Sequence, residues 1–356
     1  MLKHIFTYNK EFPLESGASL PEVEIVYYTS HPSHKGKRVV WICHALTANA
    51  NPEEWWDTLV GPGKYLDTKR DFIICANILA SCYGTTGPQS INPATNHPYL
   101  CSFPVVSIRD MVKAHELLRE SLGIESIDLL IGGSSGGFQS LEWAISNPLL
   151  IKNLCLIACN ARISPWGTAL NESQRMALYA DPSFCRDTQV PVSIGDVVGD
   201  IAASGGQKGL ECARSIALIS YRSYGGYGQT QAEQDEDVFL ASRACTYQQH
   251  QGEKLSKRFN AYSYYYLTLS LDTHNVGRGR GGVERALSLI RANTLCIAID
   301  SDVLFPVSEL EYLATHIPNA IYRTIPSTFG HDGFLLEYEK LSDLLAEHRE
   351  LYLQKN

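Results

Sequence analysis

Ser134, Asp302 and His331 occur in this chain in an order that can turn a hydroxyl into a nucleophile for acyl chemistry. Ser134 stands in the middle of Gly132-Gly133-Ser134-Ser135-Gly136, a G-x-S-x-G spacing. In that motif the serine sits on a sharp strand-to-helix turn, and glycines flank it because a Cβ there would crowd the neighbouring backbone. The run before it, Ile127 to Ile131, is apolar, and Phe138 to Ala144 after it reads as a helix. The N–H groups that open such a helix point at any oxyanion formed on the serine's substrate.

The base and its orienting acid follow downstream. Folds with this turn use the chain order Ser, Asp or Glu, then His. Asp302 lies just past the strand run Thr294 to Ile299, and His331 lies in the loop Phe329-Gly330-His331-Asp332-Gly333 before a helical stretch. His331 is expected to take the proton of Ser134, while Asp302 fixes the imidazole tautomer and stabilises the imidazolium. Asp300 competes with Asp302, which is preferred because it stands further beyond the strand end. His44 follows the strand run Val39 to Cys43 and is read as shaping the turn His44-Ala45-Leu46-Thr47. The backbone N–H groups of Leu46 and Ser135 are then the expected oxyanion hole.

These residues need a scaffold, and the hydropathy pattern supplies one. Val39–Cys43, Phe72–Ala76, Ile127–Ile131, Leu154–Ala158 and Thr294–Ile299 are short and almost continuously apolar, as strands buried on both faces of a parallel sheet must be. Helical patterns alternate with them, for example Ser107 to Leu122 with Ile108, Met111, Val112, Ala114 and Leu117 on one side. The alternation predicts a mostly parallel, doubly wound α/β sheet. Residues 21–28 partly alternate and are expected to add antiparallel strands at one edge. From about Ser164 to Gly282 the strand runs give way to helical pieces, with tyrosines at 262, 264, 265 and 266 read as packing residues. The expected organisation is therefore a core of residues 1–163 and 283–356 with a helical lid, 164–282, inserted in it. A C-terminal helix is expected from about Leu341 to Leu353.

Bulk properties narrow the partners. A hydrophobic share of 44% and a charged share of 19% are those of an ordinary globular chain. The net charge of -8 argues against a general nucleic-acid surface. No run approaches the roughly twenty apolar residues of a membrane span and the first residues lack a signal-peptide core, so a cytoplasmic protein is expected. Cys43, Cys75, Cys155 and Cys296 lie in apolar runs and read as buried thiols. Cys155 and Cys159 have no second pair at zinc spacing, and no metal is expected.

Seven ordered blocks extend the reading over nearly the whole chain. They are His44-Ala45-Leu46-Thr47, Trp55-Trp56, Gly61-Pro62-Gly63-Lys64, Tyr83 to Pro88, Gly132 to Gly137 with Leu141-Glu142-Trp143, Gly277 to Gly282, and Gly330 to Phe334. With them the chain resembles the homoserine O-acetyltransferase family of α/β-hydrolase-fold enzymes. The resemblance implies an acetyl transfer from acetyl-CoA, a co-substrate rather than a tightly bound cofactor, to the hydroxyl of L-homoserine in methionine biosynthesis. It also implies a ping-pong course through an acyl-serine and a homodimer formed through the lid helices. By the same resemblance Arg214 clamps the amino-acid carboxylate, Tyr221 hydrogen-bonds that group and Asp332 receives the ammonium. A fork of guanidinium N–H groups on a carboxylate, and a carboxylate beside the base for an amine, are sound chemistry for those roles. Arg222 reads as a partner in a lid salt bridge, and Arg278 and Arg280 suit either cofactor phosphates or a tie between lid and core.

The chain departs from its relatives at Ser135, where many carry methionine, and at Phe138. Both are expected to flank the acyl pocket, so acetyl and succinyl donors stay open here. The glycine-rich segment 190–207 also fits the family pattern poorly. Serine as acceptor, homoserine O-succinyltransferase, and an esterase or thioesterase are the alternatives.

Overall fold

The computed structural model describes residues 1–184 and 205–353. Its centre is an eight-stranded sheet of β1 (Leu2–Tyr8), β2 (Val23–Thr29), β3 (Val39–Cys43), β4 (Phe72–Ala76), β5 (Leu129–Gly133), β6 (Asn153–Ile157), β7 (Asn293–Ile299) and β8 (Ala320–Ile325). The spatial order is β1-β2-β4-β3-β5-β6-β7-β8. β1 with β2 and β2 with β4 are antiparallel, and the remaining neighbours run parallel. β3, β4 and β5 are buried at every position, as strands covered on both faces should be.

The expected doubly wound sheet with an antiparallel edge is therefore present. The strand before Ser134 begins two residues later than its hydropathy suggested, because Ile127 forms an isolated bridge with Ile151 outside the regular ladder. β8 was not legible in the sequence: most of its residues are only half-buried, so the edge strand lacks the apolar run of its neighbours.

Helices α1 (Ile108–Ser121) and α2 (Ser135–Ser146) follow β4 and β5. α1 starts where a capping box forms, with Ser107 and Asp110 exchanging side-chain and backbone hydrogen bonds. Between β6 and β7 the described chain is helical: α3 (Pro165–Ala180), α4 (Gln207–Tyr221), α5 (Tyr224–Gln231), α6 (Arg243–Ser256), α7 (Ala261–Asp272) and α8 (Val283–Leu287). The two ends of this excursion are stitched together, Arg162 bridging to Asn275 and Ile163 N–H donating to His274 O at 3.0 Å. After β7 come α9 (Val307–His316), the short α10 (Gly333–Leu336) and α11 (Tyr338–Leu353). Of the glycine-rich segment 190–207, residues 190–204 lie outside the described residues. Among the described residues no helix is long and apolar enough to cross a membrane.

Arg278 and Arg280 are consumed in the scaffold. Arg280 forks onto Glu142 of α2, whose side chain is 3% exposed, and Arg109 of α1 approaches the same carboxylate at 3.5 Å. Arg278 pairs with Glu15 at 2.8 Å. The Gly-Arg loop thus fastens the end of the helical excursion to α1 and α2. Neither arginine lines the cavity described next.

Candidate active site

Ser134 has φ 57° and ψ −127°, a strained conformation for a residue with a Cβ. The sterics of the turn account for its flanking glycines. A Cβ on Gly132 would come within 2.2 Å of Gly136 O, and one on Gly136 within 2.1 Å of Cys43 O. The elbow therefore packs backbone on backbone against the end of β3. Ser135 opens α2, so its N–H has no acceptor within the helix.

The turn after β3 is held against this elbow by two side chains. Buried His44 donates from Nδ1 to Ala45 O at 2.8 Å and accepts the Ile78 N–H on Nε2 at 3.3 Å. Burial pulls its pKa down to about 4, against a smaller upward push from the Ala45 bond, so it is a neutral structural group at neutral pH. Gln139 of α2 donates from one amide nitrogen to His44 O at 3.2 Å and Ser135 O at 3.1 Å, tying together the two segments that carry Leu46 and Ser135. Gln139 went unnoticed in the sequence, since a glutamine on a helix carries no signal of its own.

His331 lies in a short 3-10 turn, Gly330–Asp332, and is 2% exposed. Its Nδ1 donates to Asp302 Oδ2 at 2.7 Å. The other oxygen of Asp302 accepts the N–H groups of Leu304 at 2.8 Å and Phe305 at 3.0 Å, which fixes the carboxylate plane. Asp300 instead accepts the Ser327 N–H at 2.9 Å and braces the loop that leads to His331. Burial lowers the His331 pKa, but the charge and hydrogen bond of Asp302, and then the charge of Asp332, outweigh it and leave the imidazole above its ordinary value.

A cavity of about 490 Å³ brings the separate segments together. Ser134, His331 and Leu46 line it from the sheet side, and Arg214, Tyr221 and Asp332 line it as well. The guanidinium carbon of Arg214 stands 5.1 Å from the centre of the Tyr221 ring, which in turn lies 5.6 Å from the His331 ring. Burial raises the Tyr221 pKa, only partly offset by the Arg214 charge, so its hydroxyl stays protonated. Asp332 is shared with Arg222, whose Nη2 is 3.3 Å from its Oδ2.

Tyr264, completely buried on α7, is a core residue as expected, and its hydroxyl donates to Gln174 Oε1 at 2.6 Å. Tyr262 and Tyr266 are buried core residues, as the sequence suggested.

The same cavity is lined by Trp55 and Tyr83, from two of the ordered blocks, and by Lys254 and Arg258, which the sequence reading did not single out. Arg258 is anchored by bonds to Thr47 O and the Tyr83 hydroxyl, both 2.7 Å. A smaller pocket continues from Ser134 between Leu46, Ser135, Phe138, Leu304 and Phe305. The Phe138 ring stacks on His274 at 3.9 Å and meets the Phe305 ring edge-on at 5.6 Å, so this chamber has a stiff wall.

Comparison with known proteins agrees with this architecture. The sequence profile described as the α/β hydrolase fold matches residues 38–190. The homoserine O-acetyltransferase of Cyclobacterium marinum is 42% identical over 359 residues, which span 100% of this chain and 97% of the relative. Among solved structures, a homoserine O-acetyltransferase from Staphylococcus aureus is similar with a TM-score of 0.77 and 27% identity, covering 98% of this chain and 95% of that one. Esterase E22 is similar with a TM-score of 0.84 at 22% identity, covering 98% and 99% of the two chains, a likeness of fold.

Proposed function

The chain belongs to the homoserine O-acetyltransferase family of α/β-hydrolase-fold enzymes, and we propose that it acetylates L-homoserine through an acyl-enzyme on Ser134. The observation that carries the mechanism is the convergence on one cavity of Ser134, the Asp302-paired His331, and the set Arg214, Tyr221 and Asp332. In the first half-reaction His331 Nε2 takes the proton of Ser134 as Oγ attacks the thioester carbonyl of acetyl-CoA. The N–H groups of Leu46 and Ser135 receive the oxyanion. Collapse breaks the C–S bond, and the imidazolium returns its proton to the departing thiolate. Homoserine then binds with its carboxylate on Arg214 and Tyr221 and its ammonium beside Asp332. His331 deprotonates the side-chain hydroxyl, which attacks the acetyl carbonyl, and Ser134 leaves with the proton.

Phe138 and Phe305, packed edge-on at 5.6 Å, narrow the pocket beside Ser134, which supports a small acyl group such as acetyl. We read residues 164–282 as a lid that contributes the amino-acid clamp and, with Lys254 and Arg258, cations for the phosphates of the donor. In the same reading the enzyme is cytoplasmic and dimerises through the lid helices. Exposed Ile219, Tyr224, Phe239 and Leu240 in that region support an apolar contact surface there.

The direct test is thiol release from acetyl-CoA with homoserine, serine or no acceptor, with the product identified by mass. Homoserine-dependent release with O-acetylhomoserine formed is the expected result, whereas equal release without acceptor would assign the site to hydrolysis. Arg214→Ala is expected to raise the KM for homoserine about 10- to 100-fold through loss of a charge-assisted contact. Single-turnover acetylation of Ser134 should stay near the wild-type rate, and an unchanged KM would leave Arg214 with a structural role only. Lys254→Ala is expected to raise the KM for acetyl-CoA about 3- to 10-fold, the scale of one exposed charge contact. Its turnover of 4-nitrophenyl acetate, which has no phosphates, should not change, and equal losses on both substrates would count against the phosphate role.

A further inference from the structure

A second, wide concavity lies at the other end of the sheet. It has a volume of about 820 Å³ and is lined where β3, β5, β6 and β7 begin, whereas Ser134 follows the end of β5. Its charged side chains are Lys37, Arg38, Lys152, Arg291 and Arg349 against the single carboxylate of Asp128. This imbalance stands out on a chain whose net charge is -8. Among the described residues, Lys152 pairs with Asp128 at 2.7 Å and Arg38 with Asp71 at 3.4 Å, the latter carboxylate being shared with Arg70. Lys37, Arg291 and Arg349 stand outside these pairs.

Asp128 is already committed to the fold, since its second oxygen accepts the Val39 N–H at 2.8 Å and so joins the starts of β3 and β5. Its single charge, already paired with Lys152, does not balance the five cations. Like charges gathered in a concave, low-dielectric wall focus a positive potential and draw in multivalent anions. The floor is apolar, built from buried Leu129, Ile151 and Leu345, and Leu149 stands 89% exposed at the rim. A space of this size matches a drug- or nucleotide-sized ligand, and cations beside an apolar face match phosphates attached to a flat ring.

We propose that this cavity binds a nucleoside polyphosphate, with the phosphates on Lys37, Arg291 and Arg349 and the base against Leu129, Ile151 and Leu149. The site is separate from the acetyl-transfer cavity, and the proposal does not depend on the acyl-enzyme reading. Titration calorimetry with ATP at low salt, on the full chain carrying Lys254→Ala to weaken phosphate binding in the catalytic cavity, tests it. One saturable equivalent is expected, weakened at least about tenfold in a Lys37→Glu, Arg291→Glu variant, with acetyl transfer in the absence of ATP unchanged. Arg349→Ala, at an exposed helix position, provides a milder second variant that should weaken binding in the same direction. Inorganic tripolyphosphate should bind more weakly than ATP. No saturable binding, or affinity unchanged in both variants, would overturn the site. Equal affinity for tripolyphosphate and ATP would overturn the role given to the apolar floor.

Discussion

Ser134→Ala is expected to lower homoserine acetylation at least about 10⁴-fold and to remove the acetyl-enzyme. Alanine keeps the Cβ that the elbow already accommodates at φ 57°, so the variant adds no new strain and should melt near the wild-type temperature. The backbone of the oxyanion hole is also retained, because Gln139 holds Ser135 and the turn after His44 through their carbonyls rather than through the Ser134 hydroxyl. The loss is therefore specific to the nucleophile. Intact-protein mass after brief exposure to acetyl-CoA reads it directly: the wild type should gain one acetyl group and the variant none. A stable adduct in the variant would place the nucleophile elsewhere.

Asp302→Asn is expected to cost about 10⁴-fold in kcat while leaving the fold in place. The amide oxygen of asparagine can still accept the Leu304 and Phe305 N–H groups, as Oδ1 of Asp302 does. Its NH₂ group, however, would face Nδ1 of His331, where the wild type presents an acceptor at 2.7 Å. The imidazole then carries its proton on Nε2 and has no lone pair for Ser134. The pH profile separates this effect from simple damage. In the wild type the His331 pKa stands above the ordinary 6.5 because Asp302 and Asp332 outweigh burial. A base must be neutral, so kcat/KM should rise with pH through that raised value. The same shift makes the His331–Asp302 pair stabilising below the unfolded pKa, a contribution lost as pH rises through the folded one. In the asparagine variant burial is opposed only by the charge of Asp332, so the acid limb of the residual activity should move to lower pH. An acid limb that stays put would show that Asp302 does not govern His331.

The elbow was legible because its requirements are local. Gly132 and Gly136 are demanded by backbone contacts within a few residues and by the end of β3, and an apolar strand before a helix is visible in hydropathy. The five strand runs could be read for a similar reason, as burial on both faces leaves no alternation to confuse them. The downstream order of Asp302 and His331 follows from connectivity, which also placed both beyond strand ends.

Pairing was a different matter. Asp300 and Asp302 differ by two positions in sequence, and the separation appears only when Ser327 takes one and His331 the other. Arg280 and Glu142 are 138 residues apart, so their union, and with it the structural role of the Gly-Arg loop, depends on how α2 packs against the end of the helical excursion. Tyr264 was legible as core, but only the packing of α7 set its hydroxyl on Gln174. Lys254 on α6 and Arg258 just beyond it carried no signal as surface cations until the fold turned them to the cavity of Ser134. The sequence by itself determined the strand order's raw material, the strained serine and the candidate acid and base, because steric and hydrophobic demands act on neighbouring residues. Only the tertiary structure decided which distant charges and hydroxyls meet, since those contacts are made by the mutual packing of elements and have no local pattern to betray them.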